Sequence, residues 1–206
     1  LKSWEGLGYY SRARYLHQGA QLVMKDYHGT IPKTFDSLLK LPGIGPYCAA
    51  AISSIAFNMA VPVVDGNVLR VFCRFWGIFE DIRLEKVKPM LFKRLEPFIK
   101  LQNPADFNQA IMELGALICS PKAPQCHCCP LKMDCFSFAT NHQHHLPIKS
   151  KKSAIPHYNI VVGLIYKGPY IFIGKRKTGQ LLGGLWEFPG GKQEKDESKI
   201  ETLTRE

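Results

Sequence analysis

Residues 115–135 read GALICSPKAPQCHCCPLKMDC, and they contain five of the seven cysteines in this 206-residue chain. Between Cys119, Cys126, Cys129 and Cys135 the gaps are six, two and five residues. Four thiolates spread over only 17 positions can all reach one metal centre. Thiolate-rich sites select zinc or iron–sulfur clusters. In a chain without a signal-peptide layout, this clustering favours metal binding over disulfides.

The spacing of these cysteines favours one kind of centre over the other. A zinc site with four cysteine ligands usually contains two C-x2-C pairs, whereas here only Cys126 and Cys129 are chosen with that spacing. The irregular spacing therefore favours a [4Fe–4S] cluster. Cys128 is a competing ligand, so the spacing alone leaves open which four cysteines bind.

Composition indicates the class of partner. Lys and Arg number 27 against 17 Asp and Glu, which gives a formal net charge of +10 and a pI near 9.3. This excess suits a polyanion such as nucleic acid, although a generally basic protein would show the same balance. Because no run of about 18 apolar residues occurs, the sequence predicts no transmembrane helix and no membrane partner.

Residues 1–140 predict a mostly α-helical domain. The segment Leu41-Pro-Gly-Ile-Gly predicts a tight hairpin between two helices, in which Gly43 and Gly45 let the backbone approach another molecule closely. Successive backbone N–H groups in such a turn can bind an anion. Asp65 precedes Gly-Asn-Val-Leu, a pattern that predicts the N-cap of the next helix.

Two later helices are also expected in this part of the chain. One covers residues 85–101 and is predicted to be interrupted at Pro89 and Pro97. The other covers residues 107–117, is predicted to be capped by Asp106, and delivers the first cysteine to its loop.

The composition changes after residue 140. Residues 141–156, NHQHHLPIKSKKSAIP, are polar and basic without periodicity, which predicts a linker. Residues 157–206 predict a small α+β domain, with strands at 158–166 and 170–173 and a helix beginning near Glu197.

Several motifs resemble the endonuclease III and MutY family of DNA glycosylases, and they occur in the same order. C-x6-C-x2-C-x5-C is similar to the family's iron–sulfur loop, LPGIGPYCAAAI to its helix–hairpin–helix, and VVDGNVLRV to its catalytic-aspartate segment. GLGYYSRAR and FNQAIMELGALIC are similar to the MutY branch in particular. The resemblance covers about residues 1–140. It implies a helical glycosylase domain whose loop 119–135 holds a [4Fe–4S] cluster through Cys119, Cys126, Cys129 and Cys135.

The resemblance also implies a reaction. It implies a monomeric base-excision repair enzyme that hydrolyses the N-glycosidic bond of adenine mispaired with 8-oxoguanine or guanine in double-stranded DNA. Asp65 would stabilise the oxocarbenium-like sugar as an ionised carboxylate, and Asn67 is expected to assist it. Tyr47 lies where the strand-cutting members carry a Schiff-base lysine, so a monofunctional enzyme is expected.

The same resemblance implies how DNA would be held. Tyr9 is the expected wedge beside 8-oxoguanine while the adenine is flipped out, and Arg12 is expected to contact phosphate. The hairpin amides at Gly43 and Gly45 would hold the backbone. The family's general acid is a glutamate upstream of Trp4, so the sequence is expected to be an inactive fragment, truncated at both ends. Its expected location is the bacterial cytoplasm or nucleoid, or the eukaryotic nucleus or mitochondrion.

The C-terminal segment resembles the start of a Nudix box, G-x5-E-x7-R-E. Gly191, Glu197, Arg205 and Glu206 fit this pattern, and Asp196 replaces a usual glycine. The resemblance implies a truncated MutT-like or Nudix-like domain over residues 157–206 that helps to recognise 8-oxoguanine. Two alternatives remain open. One is a bifunctional endonuclease III-like glycosylase and lyase, and the other is a Nudix nucleotide pyrophosphohydrolase fused to a DNA-binding module.

Overall fold

The computed structural model describes residues 2–151, 156–177, 179–180 and 182–206. The chain divides into two compact units, Leu1–Lys151 and Lys152–Glu206. The α-helices of the first unit are α1 (Tyr10–Asp26), α2 (Phe35–Leu39), α3 (Pro46–Ala51), α4 (Gly66–Trp76), α5 (Val87–Ile99), α6 (Pro104–Glu113) and α7 (Phe136–Ala139). Turns of π-helix extend α3 over Ile52–Ala56 and α6 over Leu114–Ile118.

The first unit has two hydrophobic clusters. The smaller one joins α1, α2 and α3 around the buried Leu38, Leu41 and Ala49. The larger one joins α4, α5 and the end of α6. Its α5 side chains recur every four residues on one helical face, and all are fully or almost fully buried: Val87, Leu91, Leu95 and Ile99. Burial of each such side chain contributes about 1.5–3 kcal/mol.

Two local predictions about these helices were wrong. Helix α5 is continuous, because Pro89 occupies its third position, where a backbone N–H has no helical partner, and Pro97 lies in its last turn. Asp106 does not cap α6. Asn103 does, because Pro104 starts the helix earlier and the Asn103 side chain accepts from the Ala105 and Asp106 amides at 3.0 and 3.4 Å.

The predicted linker begins differently in the structure. Residues 141–151 lie with the first unit, because Leu146 is buried and its carbonyl accepts a hydrogen bond from Arg74 at 2.9 Å. The prediction for residues 152–155 lies outside the described residues.

The second unit contains short antiparallel strands and one helix. Its elements are β1 (Ile160–Val162), β2 (Tyr166–Lys167), β3 (Tyr170–Ile171), β4 (Gly174–Lys175), β5 (Trp186–Glu187), β6 (Gly190–Lys192) and α8 (Lys199–Arg205). The pairs are β1 with β6, β2 with β3 and β4 with β5. The expected turn at residues 167–169 is present, since Lys167 pairs with Tyr170.

Among the described residues, no helix is both long enough and apolar enough to cross a lipid bilayer.

Asn108 fixes the chain segment that leads to Asp65. This α6 residue is only 2% exposed, and its side-chain oxygen accepts from the Val63 N–H at 2.9 Å. Its amide donates to the Ser54 hydroxyl at 2.8 Å and to the Val61 carbonyl at 2.9 Å. One side chain therefore joins α6 to both the π-turn and the segment before α4.

We expect Asn108→Ala to lower the free energy of unfolding by about 3 kcal/mol, because it leaves buried donors and acceptors without partners. Urea denaturation would measure this loss. The matched control is Gln109→Ala, whose exposed side chain donates only to the Ala105 carbonyl on the same helix. That control should change the stability by no more than about 0.5 kcal/mol. Equal losses for the two variants would contradict the assignment.

Candidate functional site

Asp65 immediately precedes α4 and caps it, as the sequence predicts. Its backbone is extended, with φ −91° and ψ −174°, and its Oδ1 accepts from the Val68 N–H at 2.7 Å. The side-chain amide of Asn67 donates to Oδ2 at 3.1 Å. Each carboxylate oxygen therefore has one donor, and the orientation of this half-buried group is fixed.

Arg70 connects this pair to the cysteine loop. Its Nη2 donates to the Asn67 side-chain oxygen at 2.9 Å and to the Gly115 carbonyl at 2.5 Å. Its Nε donates to the Cys119 carbonyl at 2.7 Å. Burial lowers the pKa of the Arg70 guanidinium, and the nearby Asp65 acts in the opposite direction. The first ligand candidate of the cysteine loop is thus one arginine away from the Asp65–Asn67 pair.

The contact between the two chain segments requires a glycine. A Cβ added to Gly115 would lie 2.7 Å from the Cβ of Asn67 and 3.2 Å from its backbone carbon. Real Cβ atoms do not approach so closely, so only glycine lets the π-turn after α6 pack directly on the first turn of α4.

The predicted hairpin lies between α2 and α3. Gly43 has φ +77°, and a Cβ there would lie 2.7 Å from the Tyr15 Cβ. Gly45 differs, because its backbone is extended at φ −91° and open space surrounds its Cβ position. Glycine is therefore required structurally at Gly43, whereas at Gly45 it only leaves the backbone uncovered.

Tyr47 follows the hairpin in the first turn of α3 and is half-exposed. It lines a cavity of about 930 Å³. Val64 and Leu69, on either side of the α4 N-cap, line the same cavity, and Arg83 and Lys88 contribute positive charge to it.

Tyr9 is 82% exposed and stands at the N-terminus of α1. Its backbone is in the left-handed region, at φ 44° and ψ 49°, which is uncommon for a residue with a side chain. The Trp4 indole donates to the Gly8 carbonyl at 3.0 Å, and the Arg12 guanidinium lies 5.8 Å from the Trp4 ring centre. These contacts order the segment around the exposed tyrosine.

The four predicted cysteine ligands line one cavity: Cys119, Cys126, Cys129 and Cys135. Burial raises the pKa of the Cys126 and Cys129 thiols, and the other cysteines of the set raise the pKa of Cys126 further. Cys128 is exposed, and its thiol donates to the Gln125 carbonyl at 3.2 Å instead of lining the cavity. The geometry therefore favours the register that excludes Cys128.

The four thiols surround this cavity without converging on a single point. Within the described part of the chain, no group of three or more His, Cys, Asp or Glu side chains is placed to hold one metal ion. A single zinc ion requires all its sulfur ligands at about 2.3 Å, which is a tighter arrangement than a cluster of several metal atoms requires.

A comparison with protein families assigns the helical part of the chain. The model of the HhH-GPD superfamily base excision DNA repair proteins matches residues 1–97. These residues belong to that superfamily.

Curated relatives and solved structures agree with this assignment. The chain is 35% identical over 197 residues to an adenine DNA glycosylase from Buchnera aphidicola, a match that covers 95% of this chain and 56% of the relative. It thus spans about half of that relative's length. A thermostable thymine-DNA glycosylase has 29% identity and a TM-score of 0.58, covering 68% of this chain and 64% of its own. A non-covalent endonuclease III–DNA complex has 28% identity and a TM-score of 0.52, with coverages of 67% and 62%.

The first unit therefore has the mostly helical HhH-GPD glycosylase fold. Within it, the structure brings Asp65, Asn67 and Cys119 together through Arg70. No hydrogen bond in the described part of the chain joins the Tyr47 or Tyr9 side chain to Asp65. Arg70 and Arg74 were missed at the sequence level. Their positions three and seven residues after Asn67 place all three on one face of α4, a signal that was available.

The Nudix-like residues lie in the second unit, apart from the HhH-GPD segment. Glu197 accepts from Arg205 at 2.8 and 3.1 Å, from the Thr202 hydroxyl at 2.9 Å and from the Glu194 amide at 2.9 Å. Its hydrogen bonds with Arg205 and Glu194 lower the pKa of Glu197 to about 2. Asp196 has φ +64°, as expected where glycine is usual, and a Cβ on Gly191 would overlap the Glu206 carboxylate.

We expect Gly115→Ala to destabilise the HhH-GPD unit by about 1–3 kcal/mol, because the added methyl group overlaps Asn67. On an open helical face the same change would stabilise by up to about 1 kcal/mol, so the sign of the effect distinguishes the two situations. Chemical denaturation measures it. The control is Ala116→Ser at the adjacent exposed position, with an expected change within about 0.5 kcal/mol. A stabilised Gly115→Ala variant would disprove the close contact.

Proposed function

We propose that the protein containing this chain is an adenine DNA glycosylase of base-excision repair, and that it removes adenine paired with 8-oxoguanine or guanine. The observation that carries the proposal is the Asp65 carboxylate, which is fixed at the start of α4 by two donors within a helix–hairpin–helix fold. The similarity to an adenine DNA glycosylase supports adenine as the base.

Asp65 accounts for the difficult step of this reaction. Breaking the N-glycosidic bond leaves positive charge on the deoxyribose, and an ionised carboxylate placed beside it stabilises that charge. Water then supplies the oxygen at the anomeric carbon, and the departing adenine takes up a proton. Asn67 and Arg70 keep the carboxylate in one orientation, so little reorganisation is needed as the charge develops.

The hairpin sequence supports hydrolysis over lyase chemistry. A Schiff-base lyase requires an amine that attacks the sugar. Residues 43–48 read Gly-Ile-Gly-Pro-Tyr-Cys, so the side chain that enters the cavity there is the Tyr47 phenol. We therefore propose a monofunctional enzyme in which Tyr47 contacts the nucleotide and forms no covalent bond with it.

Double-stranded DNA is the proposed partner of the hairpin and of the α1 N-terminus. The uncovered backbone at Gly45 allows a phosphate to approach its amides, and Arg12 adds positive charge at the start of α1. Tyr9 has the exposure that an inserted aromatic side chain needs, and we assign it to the 8-oxoguanine side. The similarity to a protein solved with DNA supports this arrangement.

The cysteine cavity fits a [4Fe–4S] cluster. Four thiols line it, apolar side chains such as Leu114 and Ile118 complete it, and the sulfur donors match the ligands that such clusters use. Cys119, Cys126, Cys129 and Cys135 would hold the group, which would brace the loop and, through Cys119 and Arg70, the residues next to Asp65. We assign it a structural role.

The second unit is proposed to assist recognition of 8-oxoguanine, as the resemblance to MutT-like domains implies. The three kinds of donor on Glu197 hold the segment before α8 in a single conformation. Both oxygens of that carboxylate are occupied by protein donors, which supports a structural role for Glu197.

Release of adenine from a duplex containing A:8-oxoguanine, measured in single turnover with the full-length protein, tests the function. We expect Asp65→Asn to reduce the rate by at least about 10²-fold, because asparagine retains the cap acceptor but loses the negative charge. Asp36→Asn, at the exposed start of α2, is the matched control and should leave the rate unchanged. Undiminished release by the Asp65 variant, or no adenine release by the unsubstituted protein, would refute the proposal. Trapping by borohydride would instead favour the lyase.

Gly45→Ala tests the hairpin contact with DNA. We expect the Kd for duplex DNA to rise about tenfold, or about 1.4 kcal/mol, because the methyl group covers the amides. The stability of the free protein should fall by less than about 1 kcal/mol, since no atom lies within 4 Å of the added Cβ. Fluorescence anisotropy at fixed salt and thermal unfolding measure the two quantities. Gly43→Ala, strained by its positive φ, should instead lower the stability. Unchanged affinity of the Gly45 variant would exclude the contact.

A further inference from the structure

Arg74 is a buried cation in the last turn of α4. The residue is 3% exposed, and its guanidinium lines the cysteine cavity. Its donors are directed to two parts of the chain. Nε donates to the Leu146 carbonyl at 2.9 Å, Nη2 to the Pro121 carbonyl at 3.0 Å, and Nη1 to the Ser120 carbonyl at 2.8 Å, the Cys119 carbonyl at 3.4 Å and the Cys119 sulfur at 3.3 Å.

These acceptors satisfy the hydrogen bonds of Arg74 but do not balance its charge. All of them are neutral carbonyl groups except the Cys119 sulfur. The ion pairs formed by the described residues involve Arg176, Arg205 and their carboxylate partners, and none of them includes Arg74. A buried charge is costly unless an opposite charge is nearby. The balancing charge must therefore come from a group in the cavity that Arg74 lines.

We propose that Arg74 is the counter-cation of the cysteine site and a positioning residue for the cluster held there. Deprotonated cysteine ligands are negative, and the Arg74 N–H group already points at one of the four sulfurs. This inference rests on the proposed cluster. It adds that the positive charge of one residue on α4, which is not itself a ligand, sets the electrostatic environment of that cluster.

The backbone of Arg74 contributes to the same role. Its carbonyl accepts from the Ser137 hydroxyl at 2.8 Å, directly after the last cysteine of the loop. The guanidinium holds the beginning of the loop at Ser120 and Pro121. Both ends of the loop are therefore fixed to one residue, which keeps the guanidinium at a constant position relative to the sulfurs.

The proposal predicts the direction of a redox effect. One-electron reduction makes a thiolate-ligated cluster more negative by one charge, and a fixed nearby cation stabilises the more negative state. Hydrogen bonds to ligand sulfur and local charge are known determinants of cluster potential. Arg74 therefore raises the reduction potential, and removal of its charge lowers it.

The experiment compares three variants of the full-length protein with the unsubstituted enzyme. Arg74→Gln removes the charge and retains a donor, and Arg74→Lys retains the charge on a different shape. Arg94→Gln removes an exposed arginine that stacks 4.1 Å from the Trp76 ring centre, away from the cavity. Iron and sulfide per chain measure loading, and protein-film voltammetry measures the potential.

We expect the potential of Arg74→Gln to shift to more negative values, while Arg74→Lys and Arg94→Gln stay close to the unsubstituted protein. If Arg74→Gln loses its iron, retention of iron by Arg74→Lys still supports the charge role. Equal loss of iron from both Arg74 variants, or an unshifted potential in a loaded Arg74→Gln protein, overturns the proposal. Absence of iron from the unsubstituted protein would instead reject the cluster itself.

Discussion

The carbonyl oxygen of Cys119 accepts hydrogen bonds from both Arg70 and Arg74, and this convergence connects the parts of the first unit that matter for function. Arg70 extends the connection to Asn67 and Asp65, and Arg74 extends it to Leu146. Because an arginine offers five N–H donors in a rigid fork, one side chain can satisfy several carbonyl groups that no secondary structure pairs. The cysteine loop and the cap of α4 are therefore parts of one polar network.

Helix α4 can carry this network because its other face is packed. Val68, Leu69, Val71 and Phe72 belong to the larger hydrophobic cluster, and Phe72 stacks on Trp76 with ring centres 4.5 Å apart. The packing holds the helix while its polar face supplies the cap, the amide and two arginines. A glycosylase needs its carboxylate held rigidly beside the sugar, and a helix start anchored on both faces provides that rigidity.

The second unit depends on a local interaction instead. Its Glu197–Arg205 pair spans eight residues of chain, and the carboxylate is ionised well below neutral pH because its pKa is about 2. The Ser198 capping box at the start of α8 is equally local. Local contacts of this kind follow sequence spacing, which explains why the box residues were recognisable without the structure.

The sequence by itself determined the features that depend on near neighbours: the Asp65 cap, the hairpin with its positive-φ Gly43, and the helical HhH-GPD character of the first unit. Short-range rules failed at Asp106 and at the prolines of α5, where the true helix starts changed the meaning of each residue. Only the tertiary structure decided that Cys128 lies outside the cysteine cavity, that Leu146 belongs to the first unit, and that Arg70 and Arg74 meet at Cys119. These contacts join residues 45 to 72 positions apart, and such pairings depend on how helices pack, which no local pattern encodes.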